Sequence, residues 1–181
     1  MASAEPLALT LPLSRSVVQA LRAGQHVLLT GEVYTARDAA HQRLIAALAA
    51  GAPTPIPLAD ATIYYTGPTP ARPGGVIGAA GPTTAYRMDP YTVPLLRAGV
   101  RATIGKGARS LAVRAALQEY CAVYFAAIGG AGALLATCIT ACQPVAYFDL
   151  GPEAIHRLVV TNFPVIVAHD AHGGNAYVEP A

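Results

Sequence analysis

The chain has 181 residues, 54% apolar and 12% charged, with 12 Lys and Arg against 10 Asp and Glu. A formal charge of +2 supplies no basic face for nucleic acid, yet leaves room for a local anion pocket. The charged share is about half of what soluble domains carry, so part of the apolar surface is expected to lie under a partner or a second copy.

The length fits one domain over residues 1–181, able to bury roughly 70% of its unfolded surface. The N-terminus carries Glu5 and lacks a basic start followed by an apolar run, unlike a signal peptide. Cys121, Cys138 and Cys142 are odd in number, and a reducing, cytoplasmic setting is expected.

In chain order, residues 1–12 read as an extended lead-in, with Leu7, Leu9, Leu11 and Leu13 alternating. Ser14 can cap a helix reaching Ala23, and a strand is expected over 26–30, with 31–35 extending it or turning. In Tyr34-Thr35-Ala36-Arg37-Asp38-Ala39-Ala40-His41, Asp38 is a candidate N-cap for a helix to about Ala50. Its apolar stripe is His41, Leu44, Ile45 and Leu48 at helical spacing, so His41 faces the core. Arg37, just before that helix, could reach a ligand at its N-terminus, or pair with Asp38.

Pro53, Pro55 and Pro57 make a stiff connector, and residues 61–66 read as a strand. The proline- and glycine-rich loop from Gly67 to Gly74, with Arg72 in it, is ordered by composition. Then comes Gly81-Pro82-Thr83-Thr84-Ala85-Tyr86-Arg87-Met88-Asp89-Pro90, where Asp89 and Pro90 read as N-cap and first helical residue. A helix start offers unpaired amides and a positive dipole end, so Thr83, Thr84 and Arg87 would border an anion-attracting surface. Arg87 could instead simply pair with Asp89. Pro94 suggests a break in the helix, with Thr92 as a second cap.

A strand over 100–104 leads into Gly105-Lys106-Gly107-Ala108-Arg109-Ser110, a basic glycine loop ahead of a helix to about Tyr120. It lacks the spacing of a phosphate-binding P-loop, and Lys106 could be a solvated turn residue. Residues 120–148 carry no charge and could cross a bilayer by length. Gly129, Gly130 and Gly132 interrupt them, and a strand over 122–128, a tight turn and a buried helix over 131–141 account for them better. A strand over 145–148, a short helix over 152–157, a strand over 165–168, and a polar turn before residues 175–178 complete the chain. The order is mixed α/β, without the Gly-x-Gly-x-x-Gly of a dinucleotide-binding unit.

Three blocks, the one from Tyr34 to His41, the one from Tyr65 to Asp89, and the one from Gly105 to Ser110, together resemble the β subunit of class I iron–sulfur hydro-lyases, fumarate hydratase and L(+)-tartrate dehydratase. That unit is equivalent to a C-terminal domain in single-chain members. Ala122-Val123-Tyr124-Phe125 through Leu135 and Asp149-Leu150-Gly151-Pro152-Glu153-Ala154-Ile155 extend the similarity over nearly the whole chain.

The resemblance implies a swivelling β/β/α domain and an active site shared with an α subunit that carries a four-iron, four-sulfur cluster, none being bound by this chain. Self-association is expected as well, and the charge and the broken apolar run give no expectation of a nucleic-acid or membrane partner. Arg37 and Arg87 match carboxylate-binding arginines, Thr83 the threonine proposed as catalytic base, and Lys106 the lysine of the basic loop. Thr84, the neighbour most easily confused with Thr83, and Asp38, His41 and Arg109 are weaker candidates. Dehydrating a 2-hydroxy dicarboxylate removes a proton beside a carboxylate, where the three cations would stabilise the growing charge, and the open iron would polarise the leaving hydroxyl. The expected reaction is malate to fumarate, with L(+)-tartrate or mesaconate chemistry as an alternative. A non-catalytic, homo-oligomeric dicarboxylate-binding module is the rival class.

Overall fold

Alternating apolar residues along short strands, separated by helical segments, fold here into one closed sheet with helices packed outside it. The computed structural model describes residues 5–177. Its elements are β1 (Leu7–Thr10), α1 (Arg15–Ala20), β2 (His26–Thr35), α2 (Asp38–Ala49), β3 (Thr62–Tyr64), α3 (Asp89–Arg97) and β4 (Ala102–Gly105), followed by α4 (Leu111–Glu119), β5 (Val123–Ala126), α5 (Gly132–Thr137), β6 (Ile139–Ala146) and β7 (Ile155–His169). Two 3₁₀ turns, Ala85–Met88 and Phe148–Glu153, precede α3 and β7.

The sheet runs β1-β2-β3-β4-β5-β7-β6, and a β2–β7 pairing closes β2, β3, β4, β5 and β7 into a barrel. β2 to β5 are parallel and joined by α2, α3 and α4, since parallel neighbours need a crossover. The long β7 returns antiparallel beside both β2 and β5, which seals the ring. Period-two alternation divides the side chains. Val27, Leu29, Tyr64, Ile104, Phe125 and Phe163 fill the barrel. Ile63, Tyr65 and Tyr124 face outward to Leu44, Leu95, Val113 and Leu117 of the helices. Phe125 and Phe163 are essentially inaccessible, and truncating either to Ala would cost about 3–5 kcal/mol. This is the β/β/α architecture the resemblance implied.

Local differences from the sequence reading have identifiable causes. Ser14 does cap α1, accepting from the Val17 amide, but the helix stops at Ala20. β2 continues through Gly31 without turning, because β7 pairs along its whole length. α3 runs unbroken through Pro94, and Thr92 is no cap: its buried hydroxyl donates to the Met88 carbonyl one turn back. The helix expected over 131–141 ends at Thr137, and Ile139–Ala146 is instead a strand paired with β7. Cys138 and Cys142 therefore do not share a helix face. Residues 155–157, expected as helix, open the 15-residue β7. Long-range pairing overrides local propensity in both places. Residues 1–4 of the expected lead-in and Val178 lie outside the described residues.

Candidate active site

The parallel strands β2, β3 and β4 end on the same rim of the barrel, and the loops leaving them carry the candidate residues. Such carboxyl ends are where open α/β sheets gather ligands. Arg37 follows β2 directly and occupies the N-cap position of α2. Thr83 and Thr84 lie in the segment after β3, and Lys106 immediately follows β4.

A backbone ladder fixes the middle of the rim. The Thr83 amide donates to the Tyr65 carbonyl at 2.6 Å, the Lys106 amide to the Thr83 carbonyl at 3.1 Å, and the Ala85 amide to the Lys106 carbonyl at 2.8 Å. Thr84 is thereby in parallel register with Lys106. Gly105 permits this approach: a Cβ there would lie 2.9 Å from the Tyr65 ring and 3.1 Å from the Ala85 methyl. The amides of Thr83 and Ala85, two of the backbone donors expected to be free near this helix start, are spent in the ladder. Thr83 and Thr84 are half-buried and Lys106 is exposed. Among the described residues, Lys106 makes no ion pair.

The arginines meet carboxylates other than the sequence neighbours that could have paired with them. Arg87 pairs with Asp38, Nη2 to Oδ2 at 2.7 Å, not with Asp89. Arg37 lies 3.5 Å from Glu153, Nη2 to Oε1, not against Asp38. Asp38 is the first residue of α2 rather than its N-cap, and no side chain of the cap residue closes the helix end. Glu153 does so from a distance, its Oε2 accepting from the Ala39 amide at 3.0 Å. Asp38 and Glu153 thus gather at the first turn of α2, each facing one of the two guanidiniums. Lys106 lies at the end of β4 on the same rim, its side chain next to Gly129.

The matches with known proteins follow this geometry. Residues 2–179 match the family model described as Fumarase C-terminus. A Methanocaldococcus jannaschii chain provisionally named L(+)-tartrate dehydratase subunit beta is 37% identical over 173 residues, 92% of this chain and 89% of that one. Fumarate hydratase 1, mitochondrial, of Leishmania major and the anaerobic class I fumarate hydratase of Escherichia coli are each 39% identical over 152 residues, 82% of this chain. This chain belongs to the Fumarase C-terminus family. It spans 28% of the length of those two fumarate hydratases.

Within this family member, two candidates sit below the rim rather than on it. His41 is fully buried, its Nδ1 2.8 Å from the Arg37 carbonyl, with its ring edge-on to Tyr65. Burial, reinforced by the Arg109 charge, lowers its pKa to about 4 against the carbonyl bond and Asp38. The neutral ring donates from Nδ1, and its buried Nε2 has no partner among the described residues. Arg109 is buried as well. It donates to Asp89 at 2.6 Å and to Thr92 at 2.5 Å, and its guanidinium lies 5.3 Å and 4.9 Å from the Tyr65 and Tyr124 ring centres. Burial opposes its charge, but the Tyr65 phenol and Asp89 outweigh that and raise its pKa. The Asp89 carboxylate also accepts from the Ser110 amide, tying the start of α4 to α3.

Among the described residues, no three His, Cys, Asp or Glu side chains come together to hold a metal ion. Cys121 is buried with its thiol toward the Arg15 carbonyl, and burial raises the Cys142 thiol's pKa. No described helix is long and apolar enough to cross a membrane. Clefts of about 350 and 520 Å³ flank the loop after β3, yet Arg37, Thr83, Arg87 and Lys106 line neither. The candidate residues form an open rim. Glu153 was not singled out in the sequence, because its partners lie 114 and 116 residues away and no local spacing marks it.

Proposed function

We propose that this chain is the β subunit of a hydro-lyase that reversibly dehydrates a 2-hydroxy dicarboxylate, malate to fumarate in the first place. The observation that supports this reading is that Arg37, Thr83, Arg87 and Lys106 all lie in the segments that leave the parallel strands β2, β3 and β4 at one rim. The relatives' names point to the same chemistry. Arg37 and Arg87 orient the two carboxylates of the substrate. Arg87 and Lys106 stabilise the negative charge that accumulates on the carboxylate next to the departing proton. Thr83 receives that proton as an alkoxide and returns to the hydroxyl, its own proton having passed to solvent beforehand with the help of the adjoining cations. Asp38 holds Arg87, and Thr84 sets the register of Lys106.

The rim is open, so a second subunit closes it and excludes water. The four-iron, four-sulfur cluster expected for this reaction is assigned to that partner, since the described residues here bring no ligand set together. L(+)-tartrate is the second candidate substrate, favoured by the near full-length match to the archaeal β subunit. The setting proposed is the cytoplasm, with residues 1–181 acting as one domain.

Anaerobic affinity purification from the native host tests this. The expected product is a complex with a cysteine-bearing chain, with absorbance near ~400 nm, dehydrating malate faster than L-tartrate. Thr83→Val should abolish turnover without dissociating the complex, whereas Thr84→Val should leave most of it. A colourless single chain that binds a dicarboxylate without turnover would replace the enzyme reading with the homo-oligomeric binding module.

A further inference from the structure

We propose that Glu153 is a positioning residue for Arg37, and that the N-terminus of α2 organises both arginines of the rim. The inference rests on the catalytic reading above but concerns a residue outside it. Two carboxylates gather at the first turn of α2. Asp38 belongs to the helix and holds Arg87. Glu153 arrives from the 3₁₀ turn before β7, and one oxygen accepts from the Ala39 amide while the other faces Arg37. The positive end of the helix dipole favours both negative charges. Each carboxylate in turn holds one guanidinium.

The Arg37 side chain is confined on its other side by Gly67. A Cβ at Gly67 would lie 2.9 Å from Arg37 Nη1, 3.1 Å from its Cδ and 3.1 Å from the Pro152 carbonyl oxygen. Gly67 follows β3, while Pro152 precedes Glu153 in the chain, so slot and anchor come from two elements that meet only in the fold. The buried Nε of Arg37 has no acceptor among the described residues. Its orientation therefore depends on Glu153 and on packing in the slot. At 3.5 Å and 27% side-chain exposure on both sides, the contact is loose enough for a substrate carboxylate to share the guanidinium.

The test separates anchoring from helix capping. Glu153→Gln keeps an oxygen acceptor for the Ala39 amide and removes the charge facing Arg37. In the assembled enzyme kcat/KM for the dicarboxylate should fall on the order of 10- to 100-fold, the range expected when a binding group is misplaced by about 1 Å. The thermal midpoint should stay unchanged. In the isolated, 15N-labelled chain the Arg37 Nε–Hε signal should lose its heteronuclear NOE, reporting a mobilised guanidinium. Combined with Arg37→Lys, Glu153→Gln should add no further loss, since both changes remove the same alignment.

Glu153 would be only a cap if Arg37 stays equally ordered in the variant, if kcat/KM is unchanged, or if the two losses multiply independently. A wild-type complex that dehydrates no 2-hydroxy dicarboxylate would sink the functional reading instead. The NMR arm needs neither substrate nor partner, and then decides by itself whether Glu153 holds Arg37.

Discussion

Arg109 and Arg87 lie in loops that meet along one ladder, and they live in opposite circumstances. The Arg109 side chain is fully buried and its nitrogens are shared among Asp89, Thr92, Tyr65 and Thr103, with two aromatic rings against its plane. Arg87 is 44% exposed and has one carboxylate partner. Saturated donors in a low-dielectric interior lock a fold, whereas donors left facing water remain for a ligand. Residue type is the same in the two places. Burial separates the two.

The comparison breaks most visibly at the buried arginine. Arg109→Ala leaves the largely covered Asp89 carboxylate without its cation and should cost about 3–5 kcal/mol, read by chemical or thermal denaturation of the chain. If stability changes by less than about 1 kcal/mol, the knot under the rim is not what holds α3 and α4 together. Arg87→Ala should do the reverse. Losing one donor at the site of developing charge lowers kcat/KM on the order of 10²- to 10³-fold, while an exposed pair contributes only about 0–1 kcal/mol to stability. Unchanged turnover in the assembled enzyme would remove Arg87 from the clamp.

A third test concerns the group between the two regions. His41 bonds the Arg37 backbone above and touches the Tyr65 ring below, and burial holds its pKa near 4. An unfolded histidine takes up its proton near pH 6.5, so the unfolded state binds protons first as pH falls. The neutral ring's contribution is complete above that pH and is lost between it and about 4, a change on the order of 3 kcal/mol. His169, also lowered to about 4 mainly by burial, acts in the same window. Urea midpoints at pH 7 and 4.5 should differ strongly in the wild type and less in His41→Asn. Equal slopes would place the acid sensitivity elsewhere.

Much of the candidate site was legible because it is written in contiguous blocks. Arg37 beside a helix start, Thr83 to Arg87 after a glycine-rich run, and Lys106 between glycines each stood out locally, and the strands ending at them were short apolar runs. The partners of those residues were not legible. Asp38 turned from Arg37 to Arg87, Asp89 from Arg87 to Arg109, and Glu153 entered from the far end of the chain. Nearest-neighbour charges in sequence were the wrong guide, because extended backbone at Arg37 and the 3₁₀ turn at Arg87 aim adjacent side chains apart. Residues 138–141 misled for a similar reason: the alanine-rich run 131–141 favours helix, but an open edge of β7 was there to be paired.

By itself, then, the sequence determined the family, the alternation of strands and helices, and which residues are candidates on the rim, since periodicity, turn chemistry and side-chain identity are local properties. Only the tertiary structure decided that β7 closes the barrel, that Arg109 is buried with its donors paired, and that Glu153 faces Arg37. Those outcomes depend on which segments compete for one strand edge and which charges become buried together, and both are settled when distant parts of the chain meet.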